Sequence, residues 1–386
     1  MKRKKEIEQM KINMPNPTGE YAVGTFTFTV YNDREETLDA EKEKMRSIAS
    51  RVYYPVEKSS VEGLPKCRNL SCEMTKAIRK AFLVPISFKG IEKKGLNKSN
   101  CYENVHAIKD KKFPLIFFNH GYQSFREANS FLCIELASHG YVVISVAHPH
   151  EALLTEFDDG TFINYDKKLT RKMYSPFIRG VREVLKLTKS KGNEKELAEK
   201  FDQCQKTYIR FLMDRIPEWE KDTEAVLKYA RENLCGMIDF EKGIGATGHS
   251  MGGAVAYSLC QDNADFSCGI NIDGGLFGNH DGKILDKPFL QINCEMNQNV
   301  VTRGYLYHKK PVYKVVLKDM RHLGFSDMKY MIPLKSQVGE LSPDIAHEIT
   351  CTCHLEFFDA YLKNKKSEPN LPSNENVQSK KYEADV

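Results

Sequence analysis

Short, continuous apolar runs separated by helical stretches limit what this chain can fold into more than any other feature. Phe113 to Phe118 is one such run and Tyr141 to Ala147 another, and between them Ala128 to Ser138 has helical spacing. The pattern recurs at Gly243 to Thr247, in a helix from Met251, at Ser267 to Ile272, at Phe289 to Asn293 and at Val312 to Leu317. A last helix is read near Ile345 to Leu362. Strands that are apolar on both faces belong to a parallel sheet covered on both sides. The spacing therefore predicts an α/β fold, with a mostly parallel, doubly wound central sheet and helices on both faces. Tyr21 to Tyr31 alternates polar and apolar residues through Phe26, Phe28 and Val30, as a half-buried antiparallel strand does. Arg51-Val52-Tyr53-Tyr54-Pro55 reads as the next strand, stopped by its proline.

These segments sit in one expected domain, residues 1–364. Residues 59–112, rich in Lys, Asn, Gly and Cys, read as a helix plus a long surface connection. Few strand signals occur between Ala147 and Gly243. Phe201, Cys204, Tyr208, Phe211 and Leu212 share a helical face there, and Ala225, Val226 and Tyr229 continue it. A helical insertion is expected over about 165–230, part of it covering the sheet. Its charged portion, 165–199, contains Met173-Tyr174-Ser175-Pro176-Phe177-Ile178 and is read as a cap over a site. The polar, charged segment 365–386 is expected to be a disordered tail.

Composition removes several classes of function. The net charge is +5 from 57 basic and 52 acidic residues, and the two signs are interspersed, so the concentrated basic face of a nucleic-acid binder is missing. Met1-Lys2-Arg3-Lys4-Lys5-Glu6 has no apolar run behind it and does not read as a signal peptide. No stretch has the apolar length of a membrane span. The eleven cysteines show no small disulfide framework and are read as reduced thiols of a cytoplasmic protein. Cys351-Thr352-Cys353-His354 has zinc-binding residue types but no second ligand pair at a suitable distance, so neither metal nor cofactor is expected.

Gly248-His249-Ser250-Met251-Gly252 lies where a strand passes into a helix. In Gly-x-Ser-x-Gly the serine occupies a sharp strand-to-helix turn that exposes its hydroxyl, and a Cβ at either flanking position would strike the neighbouring elements. Ser250 is thus the candidate nucleophile, and it needs a base and an acid to orient that base. His322, in the loop after Val312 to Leu317, is placed at the carboxyl edge of the sheet, where catalytic loops gather. His347 and His354 fall in the final helix, and His308 lies at the wrong end of its strand. Asp273 and Glu295 end successive strands at the same edge, and periodicity does not choose between them. An oxyanion hole takes two backbone N–H groups. Met251 follows the nucleophile, and Tyr122 lies in Asn119-His120-Gly121-Tyr122 after an earlier strand. His120, before glycine, is read as shaping that loop.

Several segments together resemble the platelet-activating factor acetylhydrolase family (plasma and intracellular type II) of the α/β-hydrolase superfamily. They are Asn119 to Arg126, Ala137-Ser138-His139-Gly140-Tyr141, Gly248 to Gly253 and Cys268 to Asp273, with Pro17 to Gly24 similar to that family's opening strand. The likeness spans roughly residues 15–330. It implies the α/β-hydrolase fold and an acid on the strand directly after the nucleophile helix, hence Asp273 rather than Glu295 as the partner of Ser250 and His322. It further implies a serine esterase that cleaves short-chain carboxylic esters through an acyl-enzyme, acetylhydrolase- or phospholipase A2-like on lipid esters, without metal. Small-molecule or lipid esters are the expected partners, with transient contact with a lipid surface. Met251 and the 165–199 insert depart from the family where acyl length and headgroup would be read. The alternatives are a broad carboxylesterase or polyester-type hydrolase on soluble esters, and a catalytically silent binding protein on the same fold.

Overall fold

The structure, a computed structural model, describes residues 15–38, 45–82, 87–93, 98–332 and 334–384. In chain order the strands are β1 (Ala22–Glu35), β2 (Met45–Val56), β3 (Tyr102–Glu103), β4 (Leu115–Asn119), β5 (Val142–Val146), β6 (Leu154–Glu156), β7 (Phe162–Asn164), β8 (Ile244–His249), β9 (Phe266–Ile272), β10 (Phe289–Cys294), β11 (Val312–Leu317) and β12 (Val377–Tyr382). The helices are α1 (Cys72–Phe82), α2 (Phe88–Lys93), α3 (Ser130–Ser138), α4 (Lys167–Thr188), α5 (Glu194–Tyr208), α6 (Arg210–Asn233), α7 (Met251–Asp262), α8 (Lys335–Val338) and α9 (Pro343–Tyr361).

Ten strands form one sheet in the order β12-β11-β10-β9-β8-β4-β5-β2-β1-β3. The six from β5 to β11 run parallel, and β2 is antiparallel both to β5 and to β1. This is the mostly parallel sheet of an α/β-hydrolase fold. Alternation along each strand divides the core. Ile116 and Phe118 of β4, Val143 of β5 and Ile270 of β9 point to one face, against Leu132 and Leu136 of α3 and Phe357 and Phe358 of α9. Leu115, Phe117, Ile144 and Ala246 point to the other, against Trp219 and Val226 of α6 and Val255 and Tyr257 of α7. Each such side chain, fully buried, contributes about 1.5–3 kcal/mol of transfer free energy, which explains why these strands carry no polar face.

β2 extends past the proline expected to stop it. β5 pairs only with Ser50–Tyr53, so the missing N–H of Pro55 breaks no bond on that side, while Pro55 still stands opposite Val23 of β1. The expected disordered tail is corrected over its described part. Val377–Tyr382 forms β12, antiparallel to β11 through all six of its residues. Val377 is buried, and Tyr382 stacks on Tyr305 with centroids 4.5 Å apart. Two apolar anchors suffice because the free edge of β11 supplies the remaining hydrogen bonds. Helices α4 to α6 fill the expected insertion, and α6 is its sheet-covering member. The side chains of 169–178, on which a cap surface was expected, lie outside the described residues. Among the described residues, no helix is long and apolar enough to cross a membrane.

Candidate active site

The chain leaves β4 toward β5 on one side and reaches β8 on the other. Loops after β4 and β8 therefore diverge and leave a crevice at their carboxyl ends, the usual ligand position in open α/β sheets. Ser250 sits in that crevice at the junction of β8 and α7, with φ 58° and ψ −122°. A non-glycine residue in this conformation is strained, and its neighbours hold it there: Ser250 N–H donates to Ile272 O at 2.8 Å. A Cβ on Gly252 would lie 2.0 Å from Asn119 O, and one on Gly248 would lie 2.3 Å from Gly252 C. Only glycine at both positions lets β4, β8 and α7 approach this closely.

A cavity of about 720 Å³ opens over Ser250 and is also lined by His249, His322 and Tyr122. His322 begins a short 3-10 turn after β11. Its Nδ1–H donates to Asp273 Oδ2 at 2.8 Å. Asp273 is buried, and it accepts three further hydrogen bonds: from Cys294 N–H to Oδ1 at 2.8 Å, from Asn297 Nδ2 to Oδ2 at 2.8 Å and from Cys294 Sγ to Oδ2 at 3.6 Å. Glu295 is exposed, and its Oε2 lies 3.5 Å from Asp319 N, away from His322. Of the other histidines considered, His354 is buried beside Thr247, His308 is tied to Lys310 O, and His347 packs against Phe131 of α3. None of the three lines the cavity.

The loop after β4 turns tightly from Gly121, whose carbonyl accepts from Ser124 N–H at 2.9 Å. His120 lies fully buried behind it. Its Nδ1–H donates to Gly121 O at 2.7 Å, while Nε2 accepts from His148 N–H at 3.2 Å. Burial drives the His120 pKa down to about 3, with the neighbouring His148 adding to the shift, so the ring is neutral and fits both bonds. His120 thus braces the loop, as its place before glycine suggested. The Tyr122 backbone follows this turn, and Met251 N–H is the first of α7, where intrahelical partners are lacking. The Met251 side chain, expected near the reader of acyl length, is packed in the core with 1% exposure and does not line the cavity. It belongs instead to the buried cluster that also holds Trp219 and Val255. The insert does reach the site, through Tyr165 and Lys167, beside Asn164 at the end of β7.

Three features near the site escaped the sequence. His249 Nε2–H donates to His322 O at 3.0 Å, and the two rings lie 4.6 Å apart, so the residue before the serine braces the histidine loop. Asn297 supports Asp273 from an irregular loop with no periodic signal. Beneath the β4 loop is a buried ionic platform. Arg46 binds Asp222 through Nε and Nη2 at 2.7 and 2.6 Å, His148 Nδ1 faces the same carboxylate at 2.9 Å, and Arg215 and Trp219 both donate to Glu151. Removing one partner of such a pair costs about 3–5 kcal/mol, which makes the platform a rigid support. Charged residues on the apolar face of α6, Arg215 and Asp222, were the available signal.

The platelet-activating factor acetylhydrolase isoform II family model matches residues 6–381. Among similar proteins, a platelet-activating factor acetylhydrolase of Cavia porcellus is 26% identical over 267 residues, covering 65% of this chain and 58% of that protein. One of Bos taurus is 25% identical, covering 68% and 60%. A probable 1-alkyl-2-acetylglycerophosphocholine esterase of Arthroderma benhamiae is 24% identical, covering 70% and 62%. The matched region spans about three fifths of the length of these relatives. A ferulic acid esterase from Streptomyces cinnamoneus shares the fold, with a TM-score of 0.70 at 20% identity, covering 95% of this chain and 98% of its own. From the strained serine at the β8–α7 junction to the family match over nearly its whole length, this chain belongs to the platelet-activating factor acetylhydrolase isoform II family.

Proposed function

We propose that the chain is a serine esterase that hydrolyses short-chain carboxylic esters, with lipid esters as its substrate class. The observation that carries this reading is the 2.8 Å hydrogen bond from His322 Nδ1 to Asp273 Oδ2 beside the strained Ser250. Asp273 holds the imidazole in the tautomer that leaves Nε2 free to accept a proton. His322 takes the Ser250 proton as Oγ attacks the ester carbonyl. The N–H groups of Tyr122 and Met251 stabilise the tetrahedral oxyanion, a term worth about 3–4 kcal/mol per donor. His322 then protonates the leaving alkoxide, and water activated by the same imidazole releases the acyl group.

The cavity supports the substrate class. Ala77, Phe82, Phe125, Leu153, Leu323 and Met328 give it an apolar wall for an acyl or alkyl chain, and Lys80 and Lys167 stand at its lining as cations. The relatives' names carry an acetylated ether phospholipid, and an acetyl group with a long ether chain and a charged headgroup matches this division.

A panel of p-nitrophenyl esters from acetyl to octanoyl, run on wild type and Ser250→Ala, tests the reading. Turnover by wild type and a loss of about 10³-fold or more in the variant is expected; absence of turnover on every ester would refute it. Asp273→Asn should lower kcat by about 10³- to 10⁴-fold while Glu295→Gln leaves it within about twofold. The reverse ranking would reassign the acid.

A further inference from the structure

Outside the cavity, Cys67 and Cys101 bring their sulfurs to 2.9 Å, and both side chains are buried. The backbone holds them there. Cys67 N–H donates to Cys101 O at 2.9 Å and Ser99 N–H donates to Cys67 O at 3.0 Å. Ser99 Oγ lies 2.8 Å from Cys67 Sγ and 3.1 Å from Cys101 Sγ, so one hydroxyl bridges both thiols. From β2, the buried Arg51 places Nη2 3.4 Å from Cys67 Sγ. A guanidinium beside a thiol favours the thiolate, which is the reactive form.

We propose that Cys67 and Cys101 are an oxidation site that forms an intramolecular disulfide, with a small peroxide as the oxidant. A disulfide needs sulfurs at about 2.05 Å, so closure takes about 1 Å of side-chain movement on a backbone already paired. The two thiols have different roles. Cys67 is held below its ordinary pKa by the hydrogen bond from Cys101 and by Arg51, against the opposing effect of burial. Cys101 is pushed up by burial and stays a thiol.

The Cys67 thiolate therefore attacks one peroxide oxygen. The O–O bond breaks, hydroxide leaves and is protonated to water, and Cys67 becomes a sulfenic acid. Cys101 Sγ then attacks Cys67 Sγ, the S–O bond breaks, and the hydroxyl leaves as water with the Cys101 proton. Two thiols lose two electrons and two protons in all, and one peroxide becomes two waters. A thiol pool reverses the change by exchange.

The excursion closed by this bond carries α1. Met74 and Ile78 of α1 pack with Phe125, Leu154 and Met328, while Ala77 and Phe82 wall the cavity. Joining its two ends removes conformations from the unfolded chain, so the oxidised protein should melt at a higher temperature. The proposal does not depend on Ser250 chemistry, and Ser250→Ala should oxidise in the same way.

The test treats the protein with stoichiometric hydrogen peroxide, denatures it and alkylates it with N-ethylmaleimide. The untreated chain should take up eleven alkyl groups, and the treated chain two fewer, restored by dithiothreitol. Peptide mapping should join Cys67 to Cys101. In Cys101→Ser the disulfide is lost and dimedone should trap Cys67 as its sulfenic acid, a readout that a purely structural pair would not give. Both thiols remaining alkylatable after peroxide, a bond from either one to a third cysteine, or equal dimedone labelling of wild type and Cys101→Ser would overturn the proposal.

Discussion

Asp273 takes hydrogen bonds from three residues: His322 after β11, Asn297 after β10, and Cys294 through both its backbone N–H and its thiol. Only the first would take part in the chemistry, yet Asn297 shares the oxygen that faces the imidazole and so decides where that oxygen points. Asn297→Ala should therefore lower kcat about tenfold, equivalent to about 1.4 kcal/mol, with KM for p-nitrophenyl acetate nearly unchanged. Steady-state kinetics checks this, and a change confined to KM would refute the positioning role. The sequence brought Ser250 and His322 forward through local grammar, a glycine-flanked turn and a loop at a strand end. Its periodicity left Asp273 and Glu295 undecided, because both end strands at one edge, and it was the family resemblance that pointed to Asp273. Asn297 was not legible, since an irregular loop has no period to read.

At the scale of elements, the apolar runs located the central strands because each must be dry on both faces. β12 was missed for the converse reason. As an edge strand it has one apolar contact row, and its Ser379, Lys380 and Lys381 read as solvated. Its stability comes from backbone pairing with β11 and from Val377, which composition cannot register. Val377→Asp should detach it by placing an unpaired charge in a site with 0% exposure, at about 3 kcal/mol or more. Urea denaturation of the variant measures this, with limited proteolysis after residue 364 as the structural readout. Unchanged midpoint and unchanged proteolysis would show that β12 does not hold to the sheet.

For the whole molecule, polar groups deep in the fold set the response to pH. Burial lowers His120 to about 3 and His148, His280 and His354 to about 4, and it places His249 well below its ordinary value. In an unfolded chain these rings titrate near 6.5. Between that value and about pH 4 the unfolded state binds protons that the folded state refuses. The stability is therefore fully present above about pH 6.5 and is lost as pH falls, by up to about 1.4 kcal/mol per unit for each ring. Asp327 and Glu220, both raised to about 7 by burial, oppose this, because folding protonates them in the same window. They are outnumbered, so denaturant titrations should give a clearly lower stability at pH 5 than at pH 7.5. Equal values at the two would contradict the neutral burial of these histidines.

Apolar strand runs, helical faces and the Gly248–Gly252 turn are local patterns, and burial on both faces or a tight strand-to-helix turn leaves its mark in consecutive residues. The sequence by itself therefore determined the parallel sheet, the strand-to-helix turn that carries Ser250 and the sheet edge to which His322 and Asp273 come. Contacts between distant segments leave no such mark. The Asp273–His322 hydrogen bond, His249 beneath the His322 loop, the Arg46–Asp222 platform and the meeting of Cys67 with Cys101 depend on how strands and loops are stacked in space. Only the tertiary structure decided them, because each joins side chains that no periodicity along the chain relates.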